Sequence, residues 1–247
     1  MTVECEEQDS VLIMRIARVS KRNAINAVTT LALDAAMNQL EDDHSLRVGI
    51  LTGAGEVFSA GTDLRTGSGP ATPRGGEYGV VRRKRTKPLV AAVEGPAFGG
   101  GFELALACDL IVASRTARFA LPETQRGVVA TSGALFRAMR AMPLHVAKEL
   151  LVAGGELDAE RGYHLGFVNR VSAPGEALTE ALALARSVCR GAPSAVAASL
   201  AAVQQQLDAA DDLGWAATAT AVDVIRDHPE AAEGIAAFLE RRPPAWL

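Results

Sequence analysis

Lys87-Pro88-Leu89-Val90-Ala91-Ala92-Val93-Glu94-Gly95-Pro96-Ala97-Phe98-Gly99-Gly100-Gly101-Phe102-Glu103-Leu104 is the stretch on which the fold turns. Leu89 to Val93 is a short apolar run between Pro88 and Gly95, the pattern of a strand covered on both faces. The glycines at 99–101 let backbone approach closely, and a helix starting among them points unpaired N–H groups and a positive dipole end outward. Two readings of the glycines stand side by side. One is a tight packing turn; the other is a cradle for an oxygen that is, or becomes, an anion.

Around this stretch the chain has 247 residues, enough for one large α/β domain. Its formal charge of −4 disfavours a general nucleic-acid or anionic-membrane surface. Cys5, Cys108 and Cys189 are scattered, so neither a disulfide framework nor a zinc site is expected, and no metal ligand set is named. The acidic start and the lack of a membrane-length apolar run lead to the expectation of a cytoplasmic protein.

Strands are expected at Val3–Glu7, Val11–Ile16, Arg47–Thr52, 57–64, Leu110–Ala113, Ala117–Ala120 and Phe167–Val171. A helix capped by Thr29 or Thr30 should run to about Asp42. Residues 66–79 read as a mobile loop or lid, and Arg82-Arg83-Lys84-Arg85 as a solvated helix face. Pro143 suits a helix start, Gly154 a stop, and Asp158 a cap. Helices are expected over 175–190, 194–207, 213–227 and 229–241. The fold class is therefore α/β, with a core over 1–190 and a helical C-terminal region over 191–247.

No dinucleotide fingerprint, phosphate-binding loop or nucleophile elbow fits, and His44, His145, His164 and His228 are isolated. Two strand-to-turn junctions remain, at 58–64 and 95–103, each able to offer a backbone N–H to one oxygen. Glu103 and Glu123 are the carboxylates nearest to such junctions, and spacing alone does not bring them together.

Lys21-Arg22-Asn23-Ala24-Ile25-Asn26-Ala27, Phe58-Ser59-Ala60-Gly61-Thr62-Asp63-Leu64-Arg65, the stretch from Lys87 to Asp109, and Phe119-Ala120-Leu121-Pro122-Glu123 resemble, in order, the crotonase (enoyl-CoA hydratase/isomerase) superfamily. Residues 162–171 and the ending 230–242 also look like the family. The resemblance implies a fold of repeated ββα units with a helical region that makes homotrimers or hexamers. It implies an acyl-CoA thioester substrate, with no separate cofactor, because coenzyme A is part of the substrate.

By the same resemblance, Thr62 and Gly100 match the residues whose amides form an oxyanion hole, and Glu103 and Glu123 match the paired hydratase carboxylates. Backbone at Ala24 and Ile25 matches the adenine pocket, and Arg22, Ala60, Asp63, Leu64 and Arg65 match the CoA-contacting segments, with Asp63 fixing its own turn. Having both carboxylates favours reversible addition of water to a 2-enoyl-CoA. The alternatives are isomerisation of a 3-enoyl-CoA and, in another class, acyl-CoA binding without turnover. Residues 127–134 and Phe102 depart from familiar hydratases, so the acyl group stays open.

Overall fold

The computed structural model describes residues 2–246. Strands β1 (Val3–Gln8) and β2 (Val11–Ile16) pair antiparallel around Asp9-Ser10, and α1 (Ala27–Asp42) returns the chain to β3 (Val48–Gly53), parallel to β2. The apolar run of the central stretch is β4 (Leu89–Val93), followed by β5 (Pro96–Phe98), α2 (Gly100–Ala107), β6 (Leu110–Ser114) and β7 (Arg118–Ala120). Then come α3 (Ala134–Ala141), α4 (Leu144–Lys148), β8 (Glu156–Asp158), α5 (Ala159–Leu165), β9 (Arg170–Ser172), α6 (Ala177–Cys189), α7 (Pro193–Arg226) and α8 (Pro229–Glu240).

These strands form a six-stranded sheet, β1-β2-β3-β4-β6-β9, and a three-stranded sheet, β5-β7-β8. Every residue of β4 is buried. Leu89, Ala91 and Val93 pack into the cluster that holds Leu33, Met37, Phe102 and Leu104, while Val90 and Ala92 face Ala181 and Ala185 of α6. A strand covered on both faces needs apolar residues at every position, which is why its sequence does not alternate.

Several boundaries differ from expectation. Asn26, not Thr29 or Thr30, caps α1: its side chain accepts from Thr29 N at 3.0 Å, which draws both threonines inside the helix. The strand expected over 57–64 is replaced by two isolated bridges, Ser59 with Ala97 and Ile25 with Thr62. Short strands β5 and β8 were not anticipated, because three residues carry too little pattern. The basic cluster is no helix face. Arg83 is buried against Asp34 and Asn38, Arg85 pairs with Asp109, and Arg82 pairs with Glu77.

Nor does the acidic run 208–212 break the C-terminal region into two helices. Helix α7 is continuous over 34 residues. Asp211 pairs with Arg140 and, at 3.7 Å, with Arg137, and Trp215 meets Phe136 edge-on at 5.0 Å. Tertiary contacts of this kind override the weak helix preference of aspartate. Among the described residues, no helix is long and apolar enough to cross a membrane.

Asn23 fastens the loop system on which the site stands. It is fully buried at φ 55°; its amide donates to Ala54 O (2.9 Å) and Val57 O (2.6 Å), and its side-chain oxygen accepts from Arg18 N at 3.0 Å. Asn23→Ala leaves these backbone groups without partners and keeps a strained backbone. Urea denaturation should show a loss of about 2–4 kcal/mol; a loss below about 0.5 kcal/mol contradicts this role.

Candidate active site

The central stretch builds the floor of the site. Phe98 N donates to Ser59 O at 3.0 Å, and Ser59 N donates to Pro96 O at 3.2 Å, so the 58–64 junction lies directly along β5. A Cβ added to Gly61 would stand 2.8 Å from Gly100 N, and one on Gly101 would stand 2.2 Å from Ser59 O. Only glycine lets these backbones touch. Gly100 is the first residue of α2, and no side chain caps that end. Among the described residues, neither the Thr62 nor the Gly100 N–H donates to a protein acceptor. Two amides, one at the N-terminus of α2 and one in the junction packed against it, are thus without a protein acceptor among the described residues.

The two carboxylates converge on the same place. Glu103, in the first turn of α2, is 1% exposed, and its Oε1 accepts from Ser132 N (2.7 Å) and Ala134 N (3.1 Å). Strand β7 runs parallel to β5, and Gly99 N donates to Ala120 O at 2.9 Å. This carries Glu123, three residues on, over the glycine turn: a Cβ on Gly99 would stand 3.0 Å from Glu123 Oε1. Glu123 Oε2 is buried with no hydrogen-bond partner.

Burial pushes the Glu103 carboxyl up to about 8, with the charge of Glu123 adding to the effect. Burial likewise lifts Glu123 to about 7. The pair therefore titrates as a unit near neutrality. Taken singly, those values put the proton on Glu103. The geometry favours the opposite order: two backbone donors on Oε1 stabilise the carboxylate of Glu103, while an unpartnered buried oxygen on Glu123 favours the acid.

The structure brings residues 22–25 beside 60–65. Ala60 N donates to Arg22 O (3.0 Å), Ile25 N to Gly61 O (2.8 Å) and Asp63 N to Ile25 O (2.8 Å). Asp63 pairs with Arg18 at 3.1 Å and accepts from Arg65 N at 3.2 Å, so it does fix its own turn. Arg22 and Arg65 are exposed, Leu64 is half-buried, and Ile25 is buried. Every backbone polar group of Ala24 and Ile25 already has a protein partner, which leaves a ligand only the second lone pairs of their carbonyls.

Three residues escaped the sequence reading. The amides of Ser132 and Ala134 clamp Glu103, and Tyr78 is buried beside Thr62 and Gly100. The one sequence signal for Tyr78 is an aromatic set among Gly75, Gly76 and Gly79, in a segment otherwise suited to solvent. All four histidines are exposed, and among the described residues no His/Cys/Asp/Glu group is arranged to hold a metal ion.

Residues 6–247 match the family model for enoyl-CoA hydratase/isomerase. The carnitinyl-CoA dehydratase of Salmonella arizonae is 39% identical over 239 residues, covering 92% of this chain and 91% of that protein. Among solved structures, a carnitinyl-CoA dehydratase from Mycobacterium avium 104 superposes with a TM-score of 0.92 at 38% identity, covering 99% of this chain and 98% of that one. An enoyl-CoA hydratase from Mycobacterium tuberculosis H37Rv does so with a TM-score of 0.81 at 41% identity, covering 100% and 98%. With a match over nearly its whole length and the crotonase fold of these structures, the chain belongs to the enoyl-CoA hydratase/isomerase family.

Proposed function

We propose that this protein interconverts a 2-enoyl-CoA and the corresponding 3-hydroxyacyl-CoA by adding or removing water. The observation that carries the reading is the buried pair Glu103 and Glu123, set beside two unpartnered amides at the start of α2. In the hydration direction the thioester oxygen lies between Thr62 N–H and Gly100 N–H. The Glu103 carboxylate takes a proton from water, and the water oxygen bonds to the β-carbon. The electron pair of the α,β double bond moves toward the thioester, and its charge is held as an enolate by the two amides. The Glu123 carboxyl then delivers its proton to the α-carbon. The product is neutral, one carboxyl has gained a proton and the other has lost one, and exchange with solvent restores the pair.

The same geometry supports the rest of the reading. Exposed Arg22 and Arg65 flank the 22–25 and 60–65 segments, where they would meet the phosphates of CoA. Along α7, Val203, Leu213 and Val224 stay exposed, a surface that a trimer of this chain would cover. The carnitinyl-CoA dehydratases among the relatives make a short polar acyl group a natural first substrate to try.

Two experiments test the chemistry. Glu123→Gln should lower kcat by about 10³-fold, followed by loss of the absorbance of the conjugated thioester, with acyl-CoA affinity within about threefold. Undiminished turnover in that variant ends the assignment. The second test is the pH profile. Below the lower pKa both carboxyls are protonated and no base remains; above the upper one both are ionised and no acid remains. Because both pKa values are raised, kcat should peak between about 7 and about 8 and fall on either side. Glu103→Gln should erase the acid limb of what activity survives. A flat profile from about pH 5 to about pH 9 contradicts the paired-carboxyl mechanism.

A further inference from the structure

Tyr78 lies in the 66–79 segment, yet it is 3% exposed and sits at φ 55°, ψ 9°. A left-handed conformation costs a non-glycine residue about 1–2 kcal/mol. The surroundings hold it there. Thr72 and Gly76 pair across the segment, Thr72 Oγ1 donates to Asp34 at 2.6 Å, and a Cβ on Gly79 would stand 2.7 Å from Thr30 O in α1. The segment is therefore fastened on α1, with its one aromatic ring turned inward.

The phenol reaches the centre of the site. A Cβ on Gly100 would stand 2.2 Å from Tyr78 Oη, so the hydroxyl lies against the Gly100 α-carbon. It is 2.8 Å from Thr62 Oγ1, and the buried Ser132 side chain lies beside it. Three hydroxyls thus meet between the two amides and the Glu103 clamp. A phenol oxygen accepts two hydrogen bonds and donates one. Either hydroxyl of the Thr62–Tyr78 pair can be the donor; with Thr62 donating, the Tyr78 proton is unspent and can turn to the space beside Gly100. Burial and the charges of the two glutamates hold the phenol well above its usual pKa, so it stays protonated.

We propose that Tyr78 is a third donor to the thioester oxygen, a side-chain member of an oxyanion site otherwise made of the Thr62 and Gly100 amides. This rests on the reading of that pair given above. Preorganised donors of this kind act on charge that develops in the transition state, so their loss falls on kcat more than on KM. The strained backbone of Tyr78 fits a group whose position the fold specifies.

Tyr78→Phe keeps the ring and removes only the donor. We expect kcat to fall about 10- to 100-fold, with KM and the affinity for a saturated acyl-CoA within about threefold. A second measurement needs no turnover. A donor to the carbonyl oxygen polarises a conjugated thioester, so cinnamoyl-CoA should absorb further to the red when bound, and less so in Tyr78→Phe. Placing 3-fluorotyrosine at position 78, a stronger donor, should enlarge the red shift, and this arm stands even if the phenylalanine variant fails to fold. An unchanged kcat and red shift in Tyr78→Phe overturn the proposal, as does a change confined to KM. If the unmodified protein hydrates no enoyl-CoA, the hydratase reading fails, and the spectral arms still decide the role of Tyr78.

Discussion

Two backbone N–H groups, from Ser132 and Ala134, hold one oxygen of Glu103, and the rest of the site depends on that clamp. A carboxylate buried this deeply is costly unless its lone pairs are met. The clamp meets them with fixed dipoles rather than a salt bridge, and the two N–H groups favour the carboxylate form against the burial that opposes it. It also joins α2 to the start of α3. Arg137, on α3, makes its hydrogen bonds and ion pair with Val81 O, Ser132 O and Asp211, and its charge acts on Glu103 through space without a direct bond.

Packing around the clamp explains why the floor of the site is made of glycine. β5 and β7 are three residues each, too short to be stable alone, and the 58–64 junction is not a strand at all. Close backbone approach of Gly61 to Gly100 and of Gly101 to Ser59 stands in for the ladder that longer strands would supply. The free amides at Thr62 and Gly100 are a by-product of that arrangement: no acceptor among the described residues takes up those donors.

Much of this was legible in the sequence, for identifiable reasons. β4 and the start of α2 are local patterns, an apolar run bounded by Pro88 and Gly95 and then a glycine-led helix, and both appear where expected. The meeting of Glu103 with Glu123 was not legible from spacing, because nineteen residues and two short strands lie between them; the family resemblance supplied it. Tyr78 was invisible because its burial is decided by α1 and Thr72, both remote in sequence or set by a turn that no periodicity marks. The cluster at 82–85 misled for the opposite reason. Its charges are real, but Asp34, Asp109 and Glu77 come to meet them from elsewhere in the fold. The single helix α7 follows the same rule, since Asp211 and Trp215 find partners on and beside α3 that a window of sequence does not contain.

Helix α8 touches the turn that follows Glu123. A Cβ on Gly127 would stand 2.2 Å from Glu230 O, one on Gly234 would stand 2.2 Å from Arg126 O, and the Arg126 guanidinium lies 4.6 Å from the centre of the Phe238 ring. One wall of the turn that carries Glu123 is thus supplied by a helix more than a hundred residues further along the chain. Chains fold in the order of their synthesis, so a nascent polypeptide can complete both sheets and still lack the support that sets Glu123. Both sheets precede α8 in the chain, and the turn that carries Glu123 gains its outer support only when α8 packs onto it.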